Sequence, residues 1–130
     1  MSIWKRSCDE SKKPWGSIIN IPTPFGMDGK IIHIDAGKRT SLKYYKNKNQ
    51  ALYCFAGSVA VIAPKEYEFG DSITPGEGAV FNLKPGDLIL IQAGDLYRAQ
   101  AMEDSILVEV LLGQQSDDFV MVADDFGRVR

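Results

Sequence analysis

The chain has 130 residues, of which 45% are hydrophobic and 25% charged, and its formal net charge is −2 at pH 7. This length fits a single domain, 1–130, that buries roughly two-thirds of its unfolded surface. The charge balance argues against a nucleic-acid partner, which would favour a basic surplus. The apolar runs are too short to cross a bilayer, and the N-terminus lacks the apolar segment of a secretory signal. We therefore expect a cytoplasmic protein without a nucleic-acid or membrane partner.

The first segment, 1–13, is polar, and we expect it to form a flexible or edge-docked leader. It contains Cys8, whereas Cys54 falls in an apolar segment. A disulfide is the less favoured interpretation, because cytoplasmic thiols stay reduced. For Cys54, packing as a small buried hydrophobe is more common than service as a reactive thiol.

The middle of the chain predicts short strands separated by turns, and no segment before Gly113 has helical periodicity. The predicted strands are 17–21, 30–35, 40–46, 50–55, 58–63, 66–69, 78–83, 88–91, 96–101 and 105–112. Asp28-Gly29, the turn at 47–49 and Ala56-Gly57 separate some of them. We expect 50–55 to pair back on 40–46. This density of strands and corners predicts an all-β jelly roll.

Two segments are less regular. Residues 64–78 are rich in proline, glycine and acidic side chains and predict a surface loop, which leaves open whether it closes over a barrel mouth. Residues 114–130 form a charged tail, in which 116–118 would cap one short helix. We expect Asp124-Asp125 in this tail to pair with the barrel or with a neighbouring subunit.

Six short motifs follow one another between Lys13 and Arg128. They are Pro14-Trp15-Gly16, Gly37-Lys38-Arg39-Thr40-Ser41-Leu42, Pro85-Gly86-Asp87, Gly94, Glu109-Val110 and Asp124-Asp125-Phe126-Gly127-Arg128. In this order and at this spacing, they resemble the cupin superfamily and, within it, the mannose-6-phosphate isomerase type II domain. The resemblance implies a double-stranded β-helix, the RmlC-like cupin jelly-roll barrel, and a homodimer, which would also cover exposed sheet edges.

The metal-ligand positions of that family hold other residues in this chain. The two histidines and the glutamate of the first motif are replaced by Tyr45, Asn47 and Gln50, and the histidine of the second motif by Tyr97. Tyrosine must lose a proton with a pKa near ~10 before it binds a cation well, and first-row metals favour imidazole and carboxylate donors. We expect no metal and no cofactor, and the single histidine, His33, does not rebuild such a site.

The replacements are polar, although apolar side chains would fill a closed barrel at lower free energy. The candidate ligand-binding residues of the barrel interior are Lys43, Tyr45, Asn47, Gln50, Tyr97 and Glu109. These side chains suit a small polar ligand such as a sugar phosphate. An equally favoured alternative is a closed barrel in which these polar side chains form hydrogen bonds only with one another.

Three functions remain open from the sequence. The first is a metal-free, non-catalytic cupin that binds a small polar ligand. The second is a sugar-phosphate or nucleotide-sugar isomerase or epimerase, in which Glu109 would act as a base if it reached the pocket and burial raised its pKa. The third is a scaffold with a closed barrel. No catalytic residue is assigned at this stage.

Overall fold

The computed structural model describes residues 3–23, 26–64, 78–112 and 119–127, and within these ranges the chain forms eleven strands and no helix. The strands are β1 (Glu10–Lys13), β2 (Gly16–Ile21), β3 (Met27–Ile34), β4 (Leu42–Tyr45), β5 (Asn49–Ala56), β6 (Val59–Ala63), β7 (Ala79–Leu83), β8 (Leu88–Ile91), β9 (Arg98–Ala101), β10 (Ser105–Leu112) and β11 (Phe119–Ala123). The predicted strand 66–69, most of the 64–78 loop and the predicted cap at 116–118 lie outside the described residues.

The strands form three antiparallel sheets. The large sheet has the order β1-β2-β3-β10-β5-β8, a second sheet has the order β7-β6-β9, and β11 pairs with β4. Isolated bridges join Arg39 to Gln100 and Lys43 to Tyr97, so the start of β4 and the segment before it lie against β9. The predicted all-β class is confirmed.

The buried apolar side chains of the described residues form a core between the large sheet and the three-stranded sheet. Ile34, Leu52 and Leu107 come from the large sheet, and Val59 and Val61 from β6 of the other. Each of these side chains is essentially inaccessible to solvent. Close packing of two facing sheets is the source of stability in such a fold.

The alternation of side chains along β10 defines an inner and an outer face of the large sheet. Leu107, Glu109 and Leu111 are buried, whereas Val110 and Leu112 are exposed. The period of two is what a strand imposes. A charged residue, Glu109, therefore occupies an inward position between two buried leucines.

The predicted hairpin between 40–46 and 50–55 is wrong. β5 pairs with β10 and β8, and β4 pairs with β11. The turn at 47–49 therefore links two different sheets instead of closing a hairpin. A corner and a hairpin turn have similar polar residues, so local sequence does not distinguish them.

The C-terminal part of the chain differs from expectation, whereas the edge-docked alternative for the leader is confirmed. The predicted tail helix is wrong for the part that the structure describes, because Phe119–Ala123 is strand β11. The leader contributes β1, which docks on the edge of β2. In addition, β3 begins at Met27 and includes the predicted turn Asp28-Gly29. Pairing of β3 with strands on both sides overrides the local turn preference.

Candidate functional site

A partly enclosed cavity of about 570 Å³ lies inside the barrel, between the inner face of the large sheet and the β4–β11 pair. Apolar side chains form one part of its lining, namely Trp15, Ile18, Ile32, Leu111, Phe119 and Met121. Polar side chains form the remainder, namely Lys13, Asp28, Lys30, Thr40, Ser41, Lys43, Tyr45, Lys48 and Glu109. Ligand pockets commonly combine such a mixed lining with a volume of roughly 300–1,000 Å³.

The charged residues give the cavity a positive balance. Four lysines and two carboxylates line it, so its formal charge is 4 − 2 = +2 when all six groups are ionised. The whole chain has a net charge of −2. The positive charge is therefore concentrated at the cavity and would attract an anion there.

Glu109 is the most constrained of these groups. It lies directly opposite Lys30 in the β3–β10 ladder, and the residue is 2% exposed. Its Oε1 atom has no hydrogen-bond partner among the described residues. Burial raises the pKa of the Glu109 carboxyl, and the positive charges of Lys30, Lys43 and Lys48 offset only part of that effect. A buried acceptor without a partner is a high-energy group.

The lysines are held in place by polar and aromatic neighbours. The Lys30 ammonium donates to the Tyr45 hydroxyl over 2.9 Å. The Lys43 ammonium donates to Thr40 Oγ1 over 3.0 Å and lies 4.6 Å from the centre of the Tyr97 ring. Lys48, only 6% exposed, lies over the ring of Tyr45 at 5.6 Å. Cation–π contacts of this kind hold an ammonium group without neutralising it.

The structure brings three of the six predicted site residues to the cavity wall, namely Lys43, Tyr45 and Glu109. Lys43 shares the inward side with Tyr45, as the sequence spacing predicts. Asn47 was expected in the barrel interior but is exposed. The reason is that β4 ends at Tyr45, so the strand alternation does not extend to Asn47.

The other two predicted residues form a buried pair outside the cavity lining. The Tyr97 hydroxyl donates to Gln50 Oε1 over 2.6 Å, and both residues are 3% exposed. The Gln50 Nε2 atom has no hydrogen-bond partner among the described residues. Burial, followed by the negative charge of Glu109, raises the pKa of Tyr97 well above 10. Tyr97 and Gln50 therefore bond to each other and leave Gln50 Nε2 without a partner among the described residues, whereas Lys43, Tyr45 and Glu109 line the cavity.

A cupin metal does not fit the four substituted positions. Tyr97 keeps its proton because its pKa is raised, and its hydroxyl is engaged with Gln50. Asn47 is exposed at the corner after β4 and does not line the cavity. Tyr45 accepts a hydrogen bond from the positively charged Lys30. The set offers neither the imidazoles nor the carboxylate that a first-row dication favours. His33 points to the outer face, between the buried positions Ile32 and Ile34.

Sequence reasoning missed several lining residues. Lys30 was detectable, because it alternates with the inward Ile32 and Ile34 along β3. Lys48 and Asp28 lie in segments that the sequence predicts as turns, which gives no direction for a side chain. Lys48 points inward because the chain changes direction at the corner between two sheets, which the local sequence does not show.

The C-terminal tail forms one wall of the cavity through Phe119 and Met121. Beyond β11, Asp125 accepts hydrogen bonds from Arg39 at 2.5 and 2.8 Å and from Arg98 at 3.3 Å. Arg39 is therefore the first cause of the lowered pKa of the Asp125 carboxyl. The prediction that this acidic segment pairs with the barrel is confirmed. The ion pairs of Asp125 hold the segment that follows β11 against Arg39 and Arg98, and so help to keep β11 at the cavity wall.

No protein-family model matches the sequence, and no curated protein matches it. Solved structures do resemble the fold. A Klebsiella pneumoniae protein with a double-stranded β-helix domain has a TM-score of 0.65 and 15% identity, with 82% of this chain and 83% of that chain covered. KdgF from a Halomonas species has a TM-score of 0.63 and 19% identity, with coverage of 84% and 91%.

Oxalate decarboxylase from Bacillus subtilis has a TM-score of 0.74 and 15% identity. The match covers 95% of this chain but 32% of that chain, so this chain spans about one third of the enzyme's length. These likenesses place the chain in the double-stranded β-helix, or cupin, fold. The expected fold class is therefore confirmed. Among the described residues, no helix has the length and apolar character that a membrane crossing requires.

Proposed function

We propose that the cavity binds a small anionic molecule that carries hydroxyl groups, with a sugar phosphate as the representative ligand. The observation that carries the proposal is the buried Glu109 carboxyl, whose Oε1 lacks a partner among the described residues and which faces a cavity lined by four lysines. Because Oε1 is buried at the cavity wall, a ligand hydroxyl would reach it after a small shift of the Glu109 side chain, and the hydrogen bond formed would stabilise the bound state.

The anionic end of the ligand would lie near the lysines. A lysine ammonium has three N–H donors, and the bond from Lys30 to Tyr45 uses one of them. Charge-assisted hydrogen bonds from ammonium to phosphate or carboxylate are roughly twice as strong as neutral ones. The positive balance of the cavity thus favours phosphate or carboxylate over a neutral sugar.

The hydroxyl-bearing end would lie against Glu109. A carboxylate accepts hydrogen bonds from sugar hydroxyls, and Thr40 and Ser41 add polar groups to the same lining. Trp15, Ile18 and Ile32 supply an apolar surface for the C–H face of a sugar ring. The resemblance of the sequence to mannose-6-phosphate isomerase domains supports a sugar phosphate in particular. The oxalate decarboxylase neighbour, by its name, acts on a small anion within the same fold.

The scaffold alternative, in which side chains close the barrel, receives less support. A closed barrel would leave no room for a ligand, whereas the cavity of about 570 Å³ is large enough for a phosphorylated hexose. We therefore favour a binding function over a purely structural one.

Thermal-shift and calorimetric titrations with hexose 6-phosphates, hexuronates, neutral hexoses and inorganic phosphate test the proposal. We expect the anionic sugars to bind, and neutral hexoses to bind at least 10-fold more weakly. Lys43→Met should weaken binding, while Lys84→Met, at an exposed position outside the cavity, should not. Equal responses to charged and neutral sugars, or no response to the whole panel, would contradict the proposal.

A second candidate, sugar-phosphate isomerisation or epimerisation, is favoured by one observation. Glu109 reaches the cavity, and burial raises its pKa towards the range of a general acid or base. Incorporation of solvent deuterium at the carbon next to the carbonyl of a sugar phosphate would reveal proton abstraction. The candidate requires exchange in the wild type and its loss in Glu109→Gln. Binding without exchange would leave the non-catalytic function.

A further inference from the structure

Glu109 and three lysines form a group of charges on the cavity wall. Lys30 on β3 lies directly opposite Glu109 in the ladder. Lys43 on β4 and Lys48 in the corner after β4 are near enough for their charges to act on the Glu109 carboxyl. All four side chains line the cavity, and Glu109 Oε1 is buried without a hydrogen-bond partner among the described residues. The ionised form of this carboxyl therefore relies on the lysines for much of its stability.

An anion bound in the cavity would draw on the same three ammonium groups. Each hydrogen bond that a lysine directs to the ligand weakens the compensation of the negative charge on Glu109. The ligand would also bring a second negative charge beside a carboxyl that is only 2% exposed. A like charge nearby and the removal of solvent both disfavour the ionised form of an acid. Two buried anions on one set of cations are thus less favourable than one anion and a neutral acid.

We infer that the cavity takes up its anion together with one proton from the solvent, and that this proton binds to the Glu109 carboxyl. The inference rests on the proposed anion site and specifies how that site responds to pH. The neutral acid leaves the charge of the lysines to the ligand. A protonated carboxyl keeps an acceptor oxygen and gains an O–H donor, so it still accepts a hydrogen bond from a ligand hydroxyl. Anions should therefore bind more tightly as the pH falls from 8 to 5.

The other titratable groups around Glu109 come from the elements that surround it. They are Lys13, Asp28, Lys30, Lys43, Tyr45, Lys48, Cys54 and Tyr97. Lysine and tyrosine groups ordinarily titrate near ~10, outside the range from pH 5 to 8. Burial raises the pKa of the Cys54 thiol above 9.0. Asp28 is the second carboxyl of the lining, but it is less buried than Glu109 and its Oδ1 accepts a hydrogen bond from the Thr23 backbone over 3.3 Å.

Calorimetric titration with a hexose 6-sulfate tests the inference, because a sulfate ester has no group that titrates between pH 5 and 8. Repetition in buffers of different ionisation enthalpy gives the number of protons taken up. We expect the wild type to take up at least about half a proton at some pH in this range, and to bind at least about 10-fold more tightly at pH 5 than at pH 8. In Glu109→Gln, which does not ionise, the uptake and the pH dependence should both disappear. Glu103→Gln, at an exposed position, is the matched control and should behave as the wild type.

A second measurement needs no variant. Carboxyl ¹³C NMR of glutamate-labelled wild type follows the titration of Glu109 directly, with and without a saturating hexose 6-phosphate. The ligand should raise the pH of the Glu109 midpoint by at least about one unit, and leave that of the exposed Glu103 in place. Binding without proton uptake and without a change in the Glu109 midpoint would overturn this inference and leave the anion site intact. Failure of both the sulfate and the phosphate ester to bind would overturn both.

Discussion

Lys30 and Glu109 lie directly opposite each other in the β3–β10 ladder, yet the Lys30 ammonium donates to the Tyr45 hydroxyl, and Glu109 Oε1 has no hydrogen-bond partner in the described part of the chain. Opposite charges at paired positions would ordinarily stabilise a sheet by contact with each other. Here both groups are presented to a cavity instead. A buried acceptor without a partner lowers the stability of the fold.

Glu109→Gln should stabilise the ligand-free protein near neutral pH by about 0.5–2 kcal/mol. Burial raises the folded-state pKa of Glu109 above its ordinary value of 4.5. The protonated acid therefore favours folding, and stability is lost as the pH rises from 4.5 through the raised value. Glutamine does not ionise, so the stability of the variant does not fall over this pH range.

Urea denaturation of wild type and Glu109→Gln at pH 4 and pH 7.5 measures the effect. The difference should be small at the lower pH and appear at the higher one. Glu103→Gln, at an exposed position, is the control and should change stability little at either pH. A variant less stable than wild type at pH 7.5 would show that the lysines stabilise the carboxylate more than burial destabilises it.

Tyr97→Phe should destabilise the fold by about 1–3 kcal/mol, because it removes the donor to the buried Gln50 Oε1 and leaves that oxygen without a partner. Gln50→Leu in the same protein should recover part of the loss, since no buried amide then remains. The double-mutant cycle in urea gives the coupling energy. If the two single variants and the double variant are additive, the 2.6 Å hydrogen bond does not contribute to stability.

Asp125→Asn should loosen β11 and the cavity wall that it carries. The Asp125 side chain is 38% exposed, so its ion pairs with Arg39 and Arg98 contribute only about 0.5–1 kcal/mol. Its pKa is lowered, so this stability is present above the ordinary value of 3.8 and is lost as the pH falls through the folded-state value.

Hydrogen exchange of strand amides reports the loosening directly. Amides of β11 should exchange faster in Asp125→Asn at pH 7, whereas those of β10 should not. The exposed pair of Glu10 and Lys12 supplies the control, and Glu10→Gln should leave β11 unchanged. Equal exchange in β11 of wild type and Asp125→Asn would mean that the apolar contacts of Phe119 and Met121 alone hold the strand.

Gly57→Ala should be among the most damaging small substitutions. Gly57 has a φ of +88°, and an added Cβ would lie 2.2 Å from Ser105 Oγ and 2.6 Å from the Asp104 carbonyl oxygen. Gly94→Ala is the control, with a similar φ of +87° but open space around the position. The control should lose about 1–2 kcal/mol from backbone strain alone, and Gly57→Ala clearly more. Similar melting temperatures for the two variants would contradict the contact argument.

The sequence predicts the bounds of the strands better than it predicts which strands pair with each other. Leu88–Ile91 and Ser105–Leu112 have the predicted bounds, because their apolar residues and flanking turns are local features. The pairing of β4 with β11 instead of β5 depends on contacts between distant segments, which no local pattern encodes. The same limit explains why a strand replaces the predicted tail helix.

The same limit applies to the candidate site, where residues on regular strands are predicted correctly and residues in a corner are not. Lys43, Tyr45 and Glu109 lie on regular strands, where alternation gives the direction of the side chain, and all three line the cavity. Asn47 was predicted inside and Lys48 was not, although Asn47 is exposed and Lys48 is buried. Both lie in the corner after β4, where the direction of a side chain is set by the tertiary fold.

The most direct test of the cavity as an anion-binding site is a titration of lysine-labelled protein with a hexose 6-phosphate, followed by NMR of the lysine ε-carbons. We expect the signals of Lys30, Lys43 and Lys48 to shift with a common dissociation constant, while those of the exposed Lys12 and Lys46 stay in place. Shifts spread evenly over cavity and surface lysines, or none at saturating ligand, would contradict the account.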